Sequence, residues 1–540
     1  MTASRAERLF WLTLGGRVVL WTLLPSLVAS SAPLDVIEGL AWGQAWQWGY
    51  WKHPPLAAWI LAATSAIFGV RLWPLFLAGQ LAVAACLYAV WRLGRELVGA
   101  PAALLSVLVL DGIYYYNIAG TKLNPDLLQL PFWAVSILFL HRALVRDRTL
   151  YWALLGLAVG LALLAKYSAG ALLLASAIVL GATAEGRRSL RRPGPWLAAG
   201  VAVLVLAPHV SWLVSHGFPS VAYARDRLIR VHGFRDRVEV PLLFTAGQLL
   251  ALLPAGLLVR AIGWCAGGWP RHEGFPRRFL LAVALGPFLL TLGAGILFGR
   301  NLVGGSREAW GTPFWSFAPL LLALGQEAPD TPRLRRFAWA WAAVVLLAAT
   351  AYLASILLLP RITQAGRRES FPGKALAQFV QQAWRRRVAS PLAFVGGDVW
   401  LAGNVSFFHP EHPPVFIDLD RGKSPWIDEA ELLRCGAVVL WDAQDAQAAD
   451  YRRLLLARFP RHELQPIQAF AFHTPARPRP FWLGFAILPP GRTSAPARVQ
   501  VSWEDNTKTQ TIAGTFKPGA TRRLEVRVGG LRKSLSLDWD

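Results

Sequence analysis

The chain has 540 residues, 54% of them hydrophobic and only 16% charged, with 26 Trp and a net charge of +23. Soluble domains carry about 25% charged residues, and the apolar residues here fall in blocks of roughly twenty, the length a helix needs to cross a bilayer. An ordinary soluble protein is excluded. The positive charge sits mostly in Arg residues between apolar blocks, without the aromatic-and-basic pattern of an RNA-binding sheet. Nucleic acid is therefore not an expected partner, and the positive-inside rule accounts for much of the excess. Cys86, Cys265 and Cys435 are too few and too scattered for a disulfide framework or a zinc cluster.

In chain order the predicted apolar blocks are 9–29, 73–91, 100–118, 124–141, 150–164, 167–184, 195–214, 241–262, 279–298, 310–326 and 337–358, an eleven-span reading. The stretch 56–70, after Pro54-Pro55, is too short to span and is predicted as an interfacial or re-entrant helix. Arg5/Arg8, Arg92/Arg95, Arg142/Arg146/Arg148, Arg187/Arg188/Arg191/Arg192, Arg271/Arg277/Arg278 and Arg333/Arg335/Arg336 occupy the N-terminus and every second connector. That alternation predicts a bacterial inner-membrane protein with a cytoplasmic N-terminus and a periplasmic C-terminal part. It holds only if 150–184 is split at Lys166. The first block ends in VASSA, which mimics a signal-peptidase site, but cleavage would strand the loop that follows.

After Pro360 the composition becomes that of a soluble domain. A helix is predicted over 372–388 and short strands at PLAFVGG (391–397), PVFIDL (414–419) and GAVVLWD (436–442), an α/β pattern. From about 498 the residues alternate, as in RVQVSWED. The expected division is a membrane domain over 1–360, a periplasmic α/β domain over 361–490 and a β-rich appendage over 491–540.

Charged groups in or beside a span are costly and mark functional sites. The first outer loop, APLDVIEGLAWGQAWQWGYWKHPPLAAW (32–59), holds Asp35 and Glu38, three apart and so on one face of a helical turn, then Lys52-His53-Pro54-Pro55. Its Trp and Tyr residues taken alone read as interfacial anchors. Asp111 lies within an apolar block, and Asp126 opens the next one after Lys122 and Asn124, where a carboxylate also suits a helix N-terminus. Lys166 interrupts GLALLAKYSAG (156–170), as a snorkelling lysine would. Arg225, Asp226, Arg227, Arg230 and His232 form one further group, and Arg300, Arg307 and Trp310 another. Together they predict one outer surface with carboxylates and phosphate-capable cations.

The run from Asp35 to Trp59 resembles the first extracytoplasmic loop of the glycosyltransferase family 39 and protein O-mannosyltransferase group, which includes aminoarabinose and rhizobial galacturonosyl transferases. Members carry an acidic pair, an aromatic stretch and a Lys/His-Pro-Pro-Leu turn, here Asp35, Glu38 and His53-Pro54-Pro55-Leu56. The similarity continues through NPDLLQLPFW, GLALLAKYSAG, PHVSWLVSHGFPS (208–220) and WGTPFWSF (310–317). One departure is Val36, where many relatives have Glu directly after the leading Asp.

The resemblance implies a GT-C fold, an all-α polytopic membrane domain, and a polyprenyl-phosphate sugar donor. The acceptor would be lipid, glycan or protein. It makes Asp35 the expected base and Glu38 the group that orients it or the acceptor, with Lys52, His53, Lys166 and Arg307 on the donor phosphate and Asp126 and Asp111 as further site residues. One carboxylate base facing a phosphate leaving group would invert the anomeric centre. Some relatives bind a metal near this loop, but no HxxxH or DxD stands here, so no metal or other cofactor is expected. A lipid or solute transporter would instead predict inverted repeats with broken helices, and none is seen. A non-catalytic scaffold would predict that Asp35 and Glu38 tolerate amide substitution.

Overall fold

Helix α1 (Ala3–Val28) starts where the Thr2 hydroxyl accepts the Arg5 backbone N–H. The loop after α1 folds as two short helices, α2 (Leu34–Gly43) and α3 (Leu56–Phe68). They approach closely at Gly43, where an added Cβ would lie 2.5 Å from the Ala58 carbonyl oxygen. Then come α4 (Trp73–Leu97), α5 (Gly99–Leu110), α6 (Pro125–Arg146), α7 (Thr149–Ala165), α8 (Gly170–Ala182) and the short α9 (Ala184–Ser189). Beyond them lie α10 (Pro193–Ser215), α11 (Pro219–Arg227), α12 (Phe234–Ile262), α13 (Phe275–Ala284), α14 (Gly286–Phe298), α15 (Ala318–Ala323), α16 (Thr331–Leu357) and α17 (Leu359–Thr363). Strand β1 (Ile229–Arg230) pairs antiparallel with β2 (Arg300–Asn301).

This computed structural model describes residues 1–227, 229–230, 234–264, 274–298, 300–301, 311–445 and 448–491, with four strands beyond them. Among the described residues, six helices are long and apolar enough to cross a membrane, and eight spans result if each of two bent pairs counts as one. The difference from eleven has local causes. Helix α5 stops at Leu110, where Asp111-Gly112 turns the chain, and the segment resumes bent by 90°. The block predicted at 310–326 holds only the six-residue α15, preceded by turns around Pro313. The break at Lys166 is real. It separates α7 from a 3₁₀ turn (Tyr167–Ala169) and α8, each a short apolar helix.

Ion pairs link the N-terminus to the Arg-rich connectors after α4, α6 and α9. Glu96 meets Arg142 at 2.6 Å and Arg146 at 3.6 Å, Arg95 meets Glu7 at 3.5 Å, and Arg192 pairs with Asp147. The loop after α1 lies against the C-terminal part. That part comprises α18 (Gly373–Arg385), β3 (Val395–Gly397), α19 (Val399–Phe408), β4 (Val415–Ile417), α20 (Glu429–Cys435), β5 (Ala437–Asp442) and α21 (Ala448–Arg458). Strands β6 (Glu463–Leu464), β7 (Gln468–Phe470) and β8 (Phe481–Leu488) complete it. The sheet runs β4-β3-β5-β8-β6 with β7 also on β8; β3 is parallel to β4 and β5, and β8 is antiparallel to β5. The three strands read from the sequence form its parallel half. β9 (Val499–Asp505) with β10 (Lys508–Gly514), and β11 (Arg522–Val528) with β12 (Leu531–Leu537), make two antiparallel pairs, the β-rich appendage.

The α/β unit is clamped to α2. Ser30 and Ser31 donate their backbone N–H groups to the Glu369 carbonyl at 2.8 and 3.2 Å. The Ser31 hydroxyl donates to Asn404 Oδ1 at 2.7 Å, and Gln44 donates to the Ser406 hydroxyl at 2.8 Å. Gly403 in α19 sits on Ile37, with room for no side chain: an added Cβ would lie 2.6 Å from Ile37 Cγ2.

Candidate active site

Helix α2 places Asp35 in its first turn and Glu38 one turn later, where the helix N-terminus favours negative charge. The Asp35 carboxylate is held from the next element. Asn124 caps α6 by accepting the Leu127 backbone N–H at 2.9 Å, and its amide nitrogen donates to Asp35 Oδ2 at 2.8 Å. Asp35 Oδ1 has no hydrogen-bond partner among the described residues, so one carboxylate oxygen is fixed and the other is available.

Glu38 is 4% exposed and receives Lys52 Nζ at both oxygens, at 2.9 and 3.2 Å. Burial pushes its carboxyl above the usual range, and the Lys52 ammonium offsets this only in part. Burial pulls Lys52 down, but the attraction and hydrogen bonds of Glu38 outweigh it and hold the ammonium above its ordinary value. Lys166, in extended backbone at the α7–α8 break, forms an ion pair with Asp126 in the first turn of α6. Asp35 acts electrostatically on Glu38, Lys52 and Asp126, so these residues form one cluster. His53 packs edge-on near Trp42 and Tyr223, with ring centroids 6.1 Å from each.

Asp35, Glu38, Lys52, His53, Asp126 and Lys166, all singled out from the sequence, lie at one end of the bundle. Lys52 and Lys166 are engaged by carboxylates, which occupies the charge expected for phosphate. Asp111 lies elsewhere: it is 7% exposed, pairs with Arg17 of α1 and accepts from Trp341 of α16 at 2.9 Å. There it ties three helices together. Arg307, His232 and Trp310 lie outside the described residues, as do the side chains of Arg227, Arg230 and Arg300. No three His, Cys, Asp or Glu side chains converge on one point among the described residues.

Sequence reasoning missed the residues that surround Asp35. A polar cavity of about 410 Å³ is lined by Pro33, Leu34, Asp35, Lys122, Gly366, Arg367, Arg368 and Glu369. Its three cations have no ion pair among the described residues. Arg368 packs on Trp400 of α19 with its guanidinium 5.0 Å from the ring centroid. A signal was present: the Arg367-Arg368 pair follows the last apolar block at the end where the positive-inside pattern leaves few Arg residues.

With this geometry in hand, residues 52–212 match the family model described as dolichyl-phosphate-mannose-protein mannosyltransferase. The chain is 25% identical over 477 residues to the lipopolysaccharide core galacturonosyltransferase RgtA of Rhizobium johnstonii, covering 83% of this chain and 89% of the relative. It is 28% identical over 254 residues to the undecaprenyl phosphate-alpha-4-amino-4-deoxy-L-arabinose arabinosyl transferase of Pectobacterium carotovorum subsp. carotovorum, covering 43% and 42% of the two chains. Its fold matches that of ArnT from Cupriavidus metallidurans bound to undecaprenyl phosphate, with a TM-score of 0.54 at 14% identity over 90% of this chain and 98% of that one. The resemblance read from the first outer loop holds, and the membrane domain has the GT-C fold.

Proposed function

We propose that this chain, a multi-pass membrane protein with the GT-C fold, is an inverting glycosyltransferase that moves a sugar from a polyprenyl-phosphate donor to an extracytoplasmic acceptor. The acceptor classes are lipid A or its core, another envelope glycan, or a protein. The observation that carries the proposal is the placement of Asp35 in a polar cavity beside Lys122, Arg367 and Arg368.

The chemistry follows from that placement. An acceptor hydroxyl gives its proton to Asp35 as its oxygen bonds to the anomeric carbon, and the bond from that carbon to the donor phosphate breaks. The charge that grows on the leaving phosphate is met by fixed cations. A single displacement from the face opposite the phosphate inverts the centre. Asn124 and the Glu38–Lys52 pair hold α2 and its carboxylate in place before the acceptor arrives. The printed names of two relatives support the donor class and one acceptor class: one transfers from undecaprenyl phosphate, the other to lipopolysaccharide core. In this reading residues 1–360 carry the reaction, the α/β unit over 361–490 closes its outer side, and the N-terminus is cytoplasmic.

Deleting the gene tests the proposal at the level of the product. Mass spectrometry of lipid and glycan extracts should show one glycosyl unit missing from an envelope component. A phosphatase fused after Pro490 should be active, because the proposed site and the α/β unit share the outer side. Unchanged extracts, or a silent phosphatase with an active cytoplasmic reporter, would contradict it.

A further inference from the structure

A second cavity, about 380 Å³, opens beside Lys52, whose ammonium lies 5.7 Å from the ring centroid of the lining residue Tyr223. Small-molecule sites measure roughly 300–1,000 Å³. Three separate elements line it: Trp51 of the first loop; Ala222, Tyr223 and Asp226 of α11; and Asp420, Gly422 and Lys423 of the turn after β4. The rings of Trp51 and Tyr223 meet edge to face, with centroids 5.0 Å apart at 81°, and form a right-angled aromatic corner. Lys423 Nζ lies 4.9 Å over the Trp51 ring and is held by Asp418 at 2.7 Å. The turn itself is braced, since Asp420 Oδ1 accepts the Gly422 backbone N–H at 2.7 Å.

This combination selects among ligands. A lipid chain has no use for two carboxylates at its wall, and Lys423, the cation in the lining, is already held by Asp418, which leaves little charge for a phosphate. A pyranose ring suits it. Its C–H groups pack against the aromatic carbon of the corner, and its hydroxyls donate to carboxylates, which accept at up to four lone-pair positions.

We propose that the corner formed by Trp51, Tyr223, Asp226, Asp420 and Lys423 is an acceptor subsite that holds a sugar residue of a glycan acceptor. The inference rests on the transferase reading, and it gives the C-terminal unit a role in choosing the acceptor. Lys52, next to Trp51, contacts Glu38, and Glu38 stands one helical turn from Asp35. The cavity is thus joined to the base through Trp51, Lys52 and Glu38, and the subsite holds a ring of the acceptor other than the one that reacts.

The test uses the full-length protein in lipid nanodiscs. The probe is a fluorophore-labelled oligosaccharide released by mild acid from the host's lipopolysaccharide. Its binding is read by anisotropy without donor, in wild type, Trp51→Leu and Asp420→Asn. Asp420→Asn is isosteric on an exposed turn, so its fold is not at stake, and it should weaken binding roughly tenfold, the loss of one charge-assisted hydrogen bond. Trp51→Leu should do the same, and in turnover both should raise the acceptor KM and leave the donor KM alone. Wild-type binding that both variants retain, or no binding to wild type, would overturn the subsite even if transfer proceeds. Binding that depends on Trp51 and Asp420 in a protein with no transferase activity would uphold the subsite and remove the transferase reading.

Discussion

Asp35→Asn should lower turnover roughly 10²–10⁴-fold, the usual contribution of general-base catalysis, while the protein inserts and folds as before. The amide keeps the shape of the carboxylate but takes no proton. Asn124 anchors one oxygen at 2.8 Å, and the other oxygen faces a polar cavity. Loss of function would therefore trace to chemistry rather than to displacement. Charge in the first turn of α2 favours the helix by about 0.3–1 kcal/mol, so the melting temperature in detergent should move little. Glu38→Gln should cost less than Asp35→Asn, because Glu38 acts through α2 and Lys52 and touches no reacting atom. The two changes should combine non-additively if they serve one step. Near-normal transfer by the Asp35→Asn protein would end the base assignment and turn attention to Asp126.

Lys122→Ala should raise the donor KM roughly tenfold, since a hydrogen bond to a charged group is worth about 1.5–3 kcal/mol and Lys122 is half-buried. The paired change Arg367→Ala with Arg368→Ala should raise it less, roughly two- to fivefold, because both side chains are exposed and salt screens them. Adding salt should shrink the effect of the Arg pair more than that of Lys122. A contact of equal strength in ground and transition states changes KM and spares kcat. If the cations serve the leaving phosphate mainly in the transition state, kcat falls as well. Lys52→Ala tests a different role. It leaves the buried Glu38 carboxylate unpaired and should lower thermal stability alongside activity. Donor kinetics unchanged in both the Lys122 and the Arg pair variants would remove the phosphate assignment from this cavity.

Much of this was legible in the residues because membrane physics writes itself into sequence. A polar backbone crossing lipid must be helical, so long apolar blocks become helices, and α4, α6, α10 and α16 lie close to where hydropathy puts them. Lys166 breaks its helix as predicted, since a charge at that depth needs a partner, and it has one in Asp126. The strands at 395–397, 415–417 and 437–442 follow from short apolar runs between turn residues. Other features depend on tertiary contacts. Hydropathy cannot tell a span from the buried turns around Pro313, because both are apolar. Asp111 looks like a site residue from sequence alone, yet its partner Arg17 lies 94 positions away. The cavity around Asp35 joins residues from the first loop, the approach to α6 and the linker after α17. Nothing local in any of those segments marks the others.

A single displacement at the anomeric carbon is tested most directly by the configuration of the product. Purified protein in nanodiscs would be given a polyprenyl-phosphate sugar of known anomeric configuration and a purified envelope glycan. The new linkage would then be read by one-bond C–H coupling in NMR. One inverted linkage formed per polyprenyl phosphate released, with both abolished by Asp35→Asn, is the result expected here. A retained configuration, or transfer that persists without the Asp35 carboxylate, would contradict it.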